Sequence, residues 1–153
     1  MMPHPARDGA PDAVLSVLAE QGIRQVVSLL EPAEADTLGL AGEAALVEAR
    51  GMAFEHYPVG DFGVPREARD FARLARRLHD AVKAGQHAVV HCRGGIGRSG
   101  MLVSAVLLCA GLDFERTLAT IGEARGRAVP ESDAQRLWLL RECLPYCIDL
   151  AEG

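Results

Sequence analysis

The sequence predicts an α/β fold, a small and mainly parallel central sheet flanked by helices. Three observations carry that expectation. Short apolar runs of strand length recur around Val26 to Leu30, Met52 to Val59 and His87 to His91. Longer stretches with helical periodicity separate them, and strands alternating with helices join in parallel through crossovers. Glycines and prolines stand between the runs and punctuate them. The length of 153 residues, with 49% hydrophobic and 24% charged, suits one domain over 1–153 with one core.

In chain order, Met1 to Pro11 carries three prolines and a glycine and reads as an irregular, loose arm. Asp12 to Gln21 repeats apolar residues at Val14, Leu15, Val17 and Leu18, with Gly22 as terminator, so a short amphipathic helix is expected. Ile23 to Leu30 is the first strand, closed by Pro32. Ala33 to Arg50 is rich in Ala, Glu and Leu and reads as helix, broken near Gly39 and Gly42. Met52 to Val59 is the second strand. Gly60 to Pro65 is a loop by composition. Pro65 to Lys83 is predicted helical, with Phe71, Leu74, Ala75, Leu78 and Val82 as its apolar stripe and Gly85 as its stop. The strand His87 to His91 runs into a glycine-rich turn, Cys92 to Gly97, and a buried helix, Arg98 to Cys109. Two more helices are expected over Asp113 to Arg125 and Glu131 to Leu150, the latter packed by Trp138 and Tyr146.

Composition removes several classes of function. The net charge is -5 and no basic tail is present, which argues against nonspecific nucleic-acid binding. No apolar run approaches the roughly 18 residues of a membrane span. Met1 to Ala10 lacks a signal-peptide core, so a cytoplasmic, monomeric protein is expected. Cys92, Cys109, Cys143 and Cys147 form no disulfide framework and no C-x-x-C. Cys143 and Cys147 would share a helix face as buried thiols, so neither a metal nor a cofactor is expected.

The chemistry concentrates in His91-Cys92-Arg93-Gly94-Gly95-Ile96-Gly97-Arg98-Ser99-Gly100. Between a strand and a helix, the backbone N–H groups from Arg93 through Gly97 can converge on one anion. Gly94, Gly95 and Gly97 permit the backbone angles of such a cradle and keep Cβ atoms out of it. Arg98 can offer a planar fork to two phosphate oxygens. Cys92 would lie on the floor, where inward N–H groups and Arg98 favour thiolate over thiol. Ser99 is placed to donate a hydrogen bond to the sulfur. The loop lacks the Lys-Ser/Thr ending of a nucleotide P-loop and does not match G-x-G-x-x-G. A thiolate attacking phosphorus also needs an acid for the leaving oxygen. Asp61, in a loop after a strand, can swing over the pocket; a plain turn aspartate is the other reading.

The segment resembles the signature of the protein tyrosine phosphatase superfamily: His-Cys, five residues, Arg, then Ser or Thr. The resemblance implies Cys92 as the nucleophile that becomes phosphocysteine and Arg98 as the phosphoryl clamp. It implies that His91 orders the loop and tunes the thiolate, and that Ser99 aids breakdown of the intermediate. Tyr57 to Pro65 is similar to the acid loop of the small dual-specificity branch, which implies Asp61 as general acid. Val26 to Glu31 resembles the strand and acidic turn near the start of these domains. Gln135 resembles a water-positioning glutamine, beside the alternative of an exposed helical residue. Arg93 could meet substrate at the rim or point into solvent. The arginines of Arg66 to Arg77 could recruit acidic substrates or form a solvated face. The expected partner is a phosphorylated protein, phosphotyrosine first. A phosphoinositide or small phosphometabolite remains open as substrate. A phosphopeptide-binding pseudophosphatase and a rhodanese-like sulfurtransferase are the rivals of other classes.

Overall fold

The computed structural model describes residues 1–152, except the side chain of Glu152. Its elements are α1 (Pro11–Glu20), β1 (Ile23–Ser28), α2 (Pro32–Thr37), α3 (Glu43–Glu48), β2 (Ala53–His56), α4 (Ala68–Lys83), β3 (His87–His91), α5 (Gly97–Cys109), α6 (Phe114–Arg125), α7 (Asp133–Trp138), a π-helical turn (Leu139–Cys143) and α8 (Leu144–Glu152). The three strands form one parallel sheet in the order β2-β1-β3. Val26 lies opposite Phe54 on one side and Val89 on the other.

Successive strand residues point to opposite faces, and this alternation builds two layers of core. Val27 and Val90 face one cluster, with Phe71 and Leu74 of α4 and Met101, Leu102 and Leu108 of α5. Val26 and Val89 face the other, with Leu15 of α1 and Val47 of α3. Full burial of a side chain such as Phe71 or Leu102 stabilises the fold by about 1.5–3 kcal/mol. The parallel arrangement brings the carboxyl ends of β1, β2 and β3 to one edge, and loops at that edge of a parallel sheet form the usual binding crevice.

The structure departs from the sequence reading at three places. Met1 to Ala10 forms no helix or strand, yet it is not loose. Met2 makes a parallel bridge beside His91, and its N–H donates to the Val90 carbonyl at 3.0 Å. His4 N–H donates to the Arg93 carbonyl at 3.2 Å. Backbone pairing along an open sheet edge leaves no side-chain pattern to read. Helix α4 begins at Ala68 rather than Pro65, because Glu67 is extended at φ -121 and ψ 105. The final helix starts at Asp133 and passes through a π-helical turn before Leu144. Pro145 explains the turn: it brings no N–H to the helical ladder, and the wider turn absorbs the gap. Trp138 packs edge-on to Phe71, with centroids 5.5 Å apart. Tyr146, expected to pack, is 38% exposed.

Candidate active site

The turn between β3 and α5 brings the backbone of Arg93 to Gly97 around the Cys92 sulfur. Gly95 adopts φ +72, a left-handed conformation that costs an L side chain. A Cβ there would also stand 2.3 Å from the Met2 carbonyl carbon. Gly95 thus lets the loop curl and lets the N-terminal segment cover its outer side. The Gly95 N–H donates to Cys92 Sγ at 3.2 Å. The sulfur is 3% exposed and lines a cavity of about 360 Å³ with Arg93, Arg98, Asp61, Phe62 and Glu131.

Arg98 opens α5 and is 2% exposed. Its four outer N–H groups are all engaged. Nη1 donates to Glu34 Oε2 at 2.7 Å and to the Val59 carbonyl at 3.0 Å. Nη2 donates to Glu34 Oε1 at 2.8 Å and to Asp61 Oδ1 at 2.9 Å. The bidentate Glu34 fork fixes the guanidinium plane. That hydrogen bond also holds the Glu34 carboxyl below the usual glutamate range, against an opposing push from burial. Burial works to lower the Arg98 pKa, but the Glu34 bond and the charges of Glu34, Cys92 and Asp61 raise it on balance.

Asp61 sits in a turn closed by Gly63 N–H donating to the Gly60 carbonyl at 2.8 Å. Its Oδ1 also accepts from Phe62 N–H at 3.2 Å. Phe62 pays for this turn with φ +55 and stands 63% exposed at the cavity rim. Asp61 and Cys92, distant in sequence, therefore line one cavity through Arg98.

Two expected contacts are not made. Ser99 is fully buried, and its hydroxyl is not bonded to the sulfur or to any other described residue. The sulfur takes its hydrogen bond from the loop backbone instead. Gln135 is fully buried rather than exposed. Its Nε2 donates to the Gly63 carbonyl at 3.1 Å, so it braces the Asp61 loop, while its Oε1 faces Gly97 without a partner. The side chain that reaches the cavity from this region is Glu131. Arg93 is exposed and lines the cavity. The arginines of α4 are partly neutralised: Arg73 by Asp70, Arg76 by Asp80 and Arg77 by Glu55.

Residues 2–112 match a family model described as the DSP-PTPase phosphatase of polymorphic toxin systems. The chain belongs to that family. Solved structures agree with the membership. Kinase associated phosphatase, solved with its catalytic cysteine replaced by serine, superposes with a TM-score of 0.79 at 20% identity, covering 88% of this chain and 77% of that one. The active form of Tk-PTP gives 0.74 at 29% identity, over 88% of this chain and 86% of that one. Human DUSP28 gives 0.68 at 21% identity, over 100% and 94%. The small parallel sheet flanked by helices is the fold that this phosphatase-family chain shares with them.

Three carboxylates of the site escaped the sequence reading. Glu34 clamps Arg98, Glu131 lines the cavity, and Glu43 bonds the ring of His91. Glu34 and Glu43 lie in a helical stretch rich in Ala and Glu, where each looks like a solvated surface residue. The acidic turn was read at Glu31, three positions short of the glutamate that reaches Arg98. Glu131 was legible only through its spacing, four residues before Gln135. Among the described residues, no group of three or more His, Cys, Asp or Glu side chains is placed to hold a metal ion.

Proposed function

We propose that this protein hydrolyses phosphate monoesters of proteins, phosphotyrosine first, in two steps through a phosphocysteine at Cys92. The observation that carries the proposal is the shared cavity in which the Cys92 sulfur accepts the Gly95 N–H while Arg98 holds Asp61. A sulfur that accepts a backbone N–H at the floor of such a loop is placed to act as a nucleophile.

In the first step the thiolate attacks phosphorus and the bond to the leaving oxygen breaks. The N–H groups from Arg93 to Gly97 and Arg98 meet the charge on the three equatorial oxygens. A substrate phosphate competes with Asp61 for the Arg98 Nη2 donor, which frees the carboxyl group to protonate the leaving oxygen. In the second step Asp61 accepts a proton from water, the water oxygen attacks phosphorus, and the P–S bond breaks to restore the thiolate. Ser99, expected to aid breakdown of the intermediate, is buried with its hydroxyl out of reach of the sulfur, so that role requires its side chain to shift as the P–S bond breaks. Arg98 and the loop donors supply the positive charge for this chemistry from the chain itself, so the reaction calls for no metal or cofactor.

The rim supports an aryl ester, because Phe62 offers an exposed ring face there. A groove of about 770 Å³ along α6 shares Glu131 with the cavity and gives a protein substrate's flanking chain a place to lie. Three carboxylates, Glu34, Asp61 and Glu131, disfavour a ligand with several phosphates. Four unpaired cysteines fit a reducing compartment such as the cytoplasm. No helix among the described residues is long and apolar enough to cross a membrane.

A substrate panel assayed with chelator present tests this reading. It predicts hydrolysis of phosphotyrosine peptides above phosphoserine or phosphothreonine peptides. Turnover confined to phosphoinositides or small metabolites would replace the substrate class. Binding of phosphopeptide without turnover would make the chain a pseudophosphatase.

A further inference from the structure

His91 immediately precedes Cys92 and is 1% exposed. Its Nε2 lies 2.6 Å from Glu43 Oε1, and Glu43 is itself 2% exposed. The other ring nitrogen, Nδ1, lies 3.4 Å from the Cys92 carbonyl oxygen. At 3.4 Å this contact is long, and the short bond of the ring is the one at Nε2. A buried carboxylate costs several kcal/mol unless a positive or donating partner meets it. At Nε2 the carboxylate is the acceptor, and the distance is that of a charge-assisted bond. Glu43 thus fixes the His91 ring through Nε2, with Nδ1 turned to the Cys92 backbone.

Glu43 stands at the start of α3, far in sequence from the phosphate loop. Its carboxyl group also borders a separate cavity of about 240 Å³, with Ser28, Asp36 and His56 on the walls. The titratable groups around the pair are therefore Cys92 from the loop, His4 from the N-terminal segment, and Asp36 and His56 across that cavity. His56 is occupied by the Leu30 carbonyl at 2.7 Å. His4 is held below the usual histidine range, by burial first and then by the nearby charges of His91, Arg93 and Arg7. A second proton on His4 is thus disfavoured beside His91.

We infer that Glu43 is a positioning residue for Cys92, acting through His91. The buried carboxylate holds the ring against the Cys92 backbone, and the ring in turn holds the nucleophile's peptide at the base of the loop. This inference rests on the proposed role of Cys92. Glu43 does not touch substrate, so its loss changes the reactivity of the sulfur and leaves the phosphate-binding donors in place.

The test compares wild type with Glu43→Gln, which keeps shape and removes charge. Alkylation of Cys92 by iodoacetamide near pH 6 should slow about tenfold, as expected when one charge-assisted hydrogen bond is lost. The kcat for an aryl phosphate should fall with it while KM stays near wild type. In a His91→Asn background, Glu43→Gln should change neither quantity further. Alkylation of Glu43→Gln at the wild-type rate overturns the inference even if the wild type is an active phosphatase. An inactive wild type would instead sink the proposed function. If Glu43→Gln does not fold, nitrogen NMR of the wild-type His91 ring decides. A hydrogen-bonded proton between Nε2 and Glu43 supports the pair, and an Nε2 free of that bond overturns it.

Discussion

The molecule holds its cysteines in two regions, and the two differ in how their sulfurs are hydrogen-bonded. Cys92 is 3% exposed, and Cys109, Cys143 and Cys147 are 2%, 0% and 0% exposed. Burial alone does not separate them. The direction of hydrogen bonding does. Cys92 accepts from the Gly95 N–H. Cys109 donates to the Ala72 carbonyl at 3.8 Å and Cys147 to the Ala105 carbonyl at 3.7 Å. Cys143 and Cys147 lie 3.7 Å apart, sulfur to sulfur. The Cys109 thiol is pushed far up, by its contact with Cys147 first and by burial second. For Cys147 the Cys109 contact pulls down, but Cys143 and burial outweigh it. Cys109, Cys143 and Cys147 pack in the core shared by α4, α5 and α8 as small apolar residues. The fourth faces donors.

The sharpest way to break this contrast is to exchange the roles. Cys92→Ser should reduce turnover below detection while phosphate-ester binding survives, because the donors of the loop and Arg98 remain. Steady-state kinetics and equilibrium binding check it. Residual turnover near wild type would remove Cys92 from the chemistry. Asp61→Asn comes next. It should slow esters with poor leaving groups by about 10²–10⁴-fold and good ones much less, as expected for loss of a general acid. Equal slowing of both in a leaving-group series would take Asp61 out of that role.

Glu34→Gln tests the partner that the Cys92 region has and the other thiols lack. Its effect on stability at pH 7 should be about 1–3 kcal/mol, the range for a hydrogen bond to a charged group. The sign of its pH dependence follows from the lowered Glu34 carboxyl. Wild-type stabilisation is fully present above the ordinary glutamate value of 4.5 and is lost as pH falls through the lower folded value. Denaturant melts should therefore show wild type and Glu34→Gln converging in acid. A gap that stays constant in acid would show that the ion pair is not its source. Cys143→Ala should have the smallest effect on function. It should leave kcat unchanged and cost about 1 kcal/mol of stability, the lower end for removing a buried group. A fall in kcat would show that the buried thiols communicate with the site.

Much of this was legible in the sequence, and what was not has a physical reason. The strand–turn–helix around Cys92 announced itself because its backbone needs glycines at fixed places, and glycine leaves a visible mark. The stripe of α4 and the run of α5 were visible through apolar periodicity. Asp61 was visible through its loop. The Glu34 and Glu43 contacts were not, since a glutamate that folds inward to a distant Arg or His has the same local pattern as one in water. The ordered path of Met2 to His4 was hidden because it rests on backbone bonds to β3 and to Arg93. Gln135, read as water-positioning or as an exposed helical residue, is buried with its amide turned to the Asp61 loop, and Glu131 lies on the cavity.

If the proposed chemistry holds, phosphate passes through Cys92 and through no other cysteine. Acid quench of the protein during turnover of a radiolabelled aryl phosphate, followed by peptide mapping, tests it directly. The account predicts label on the peptide carrying Cys92, none on those carrying Cys109, Cys143 and Cys147, and no label at all in Cys92→Ser. Label on another residue, or turnover with no labelled peptide under conditions where breakdown is the slow step, would contradict it.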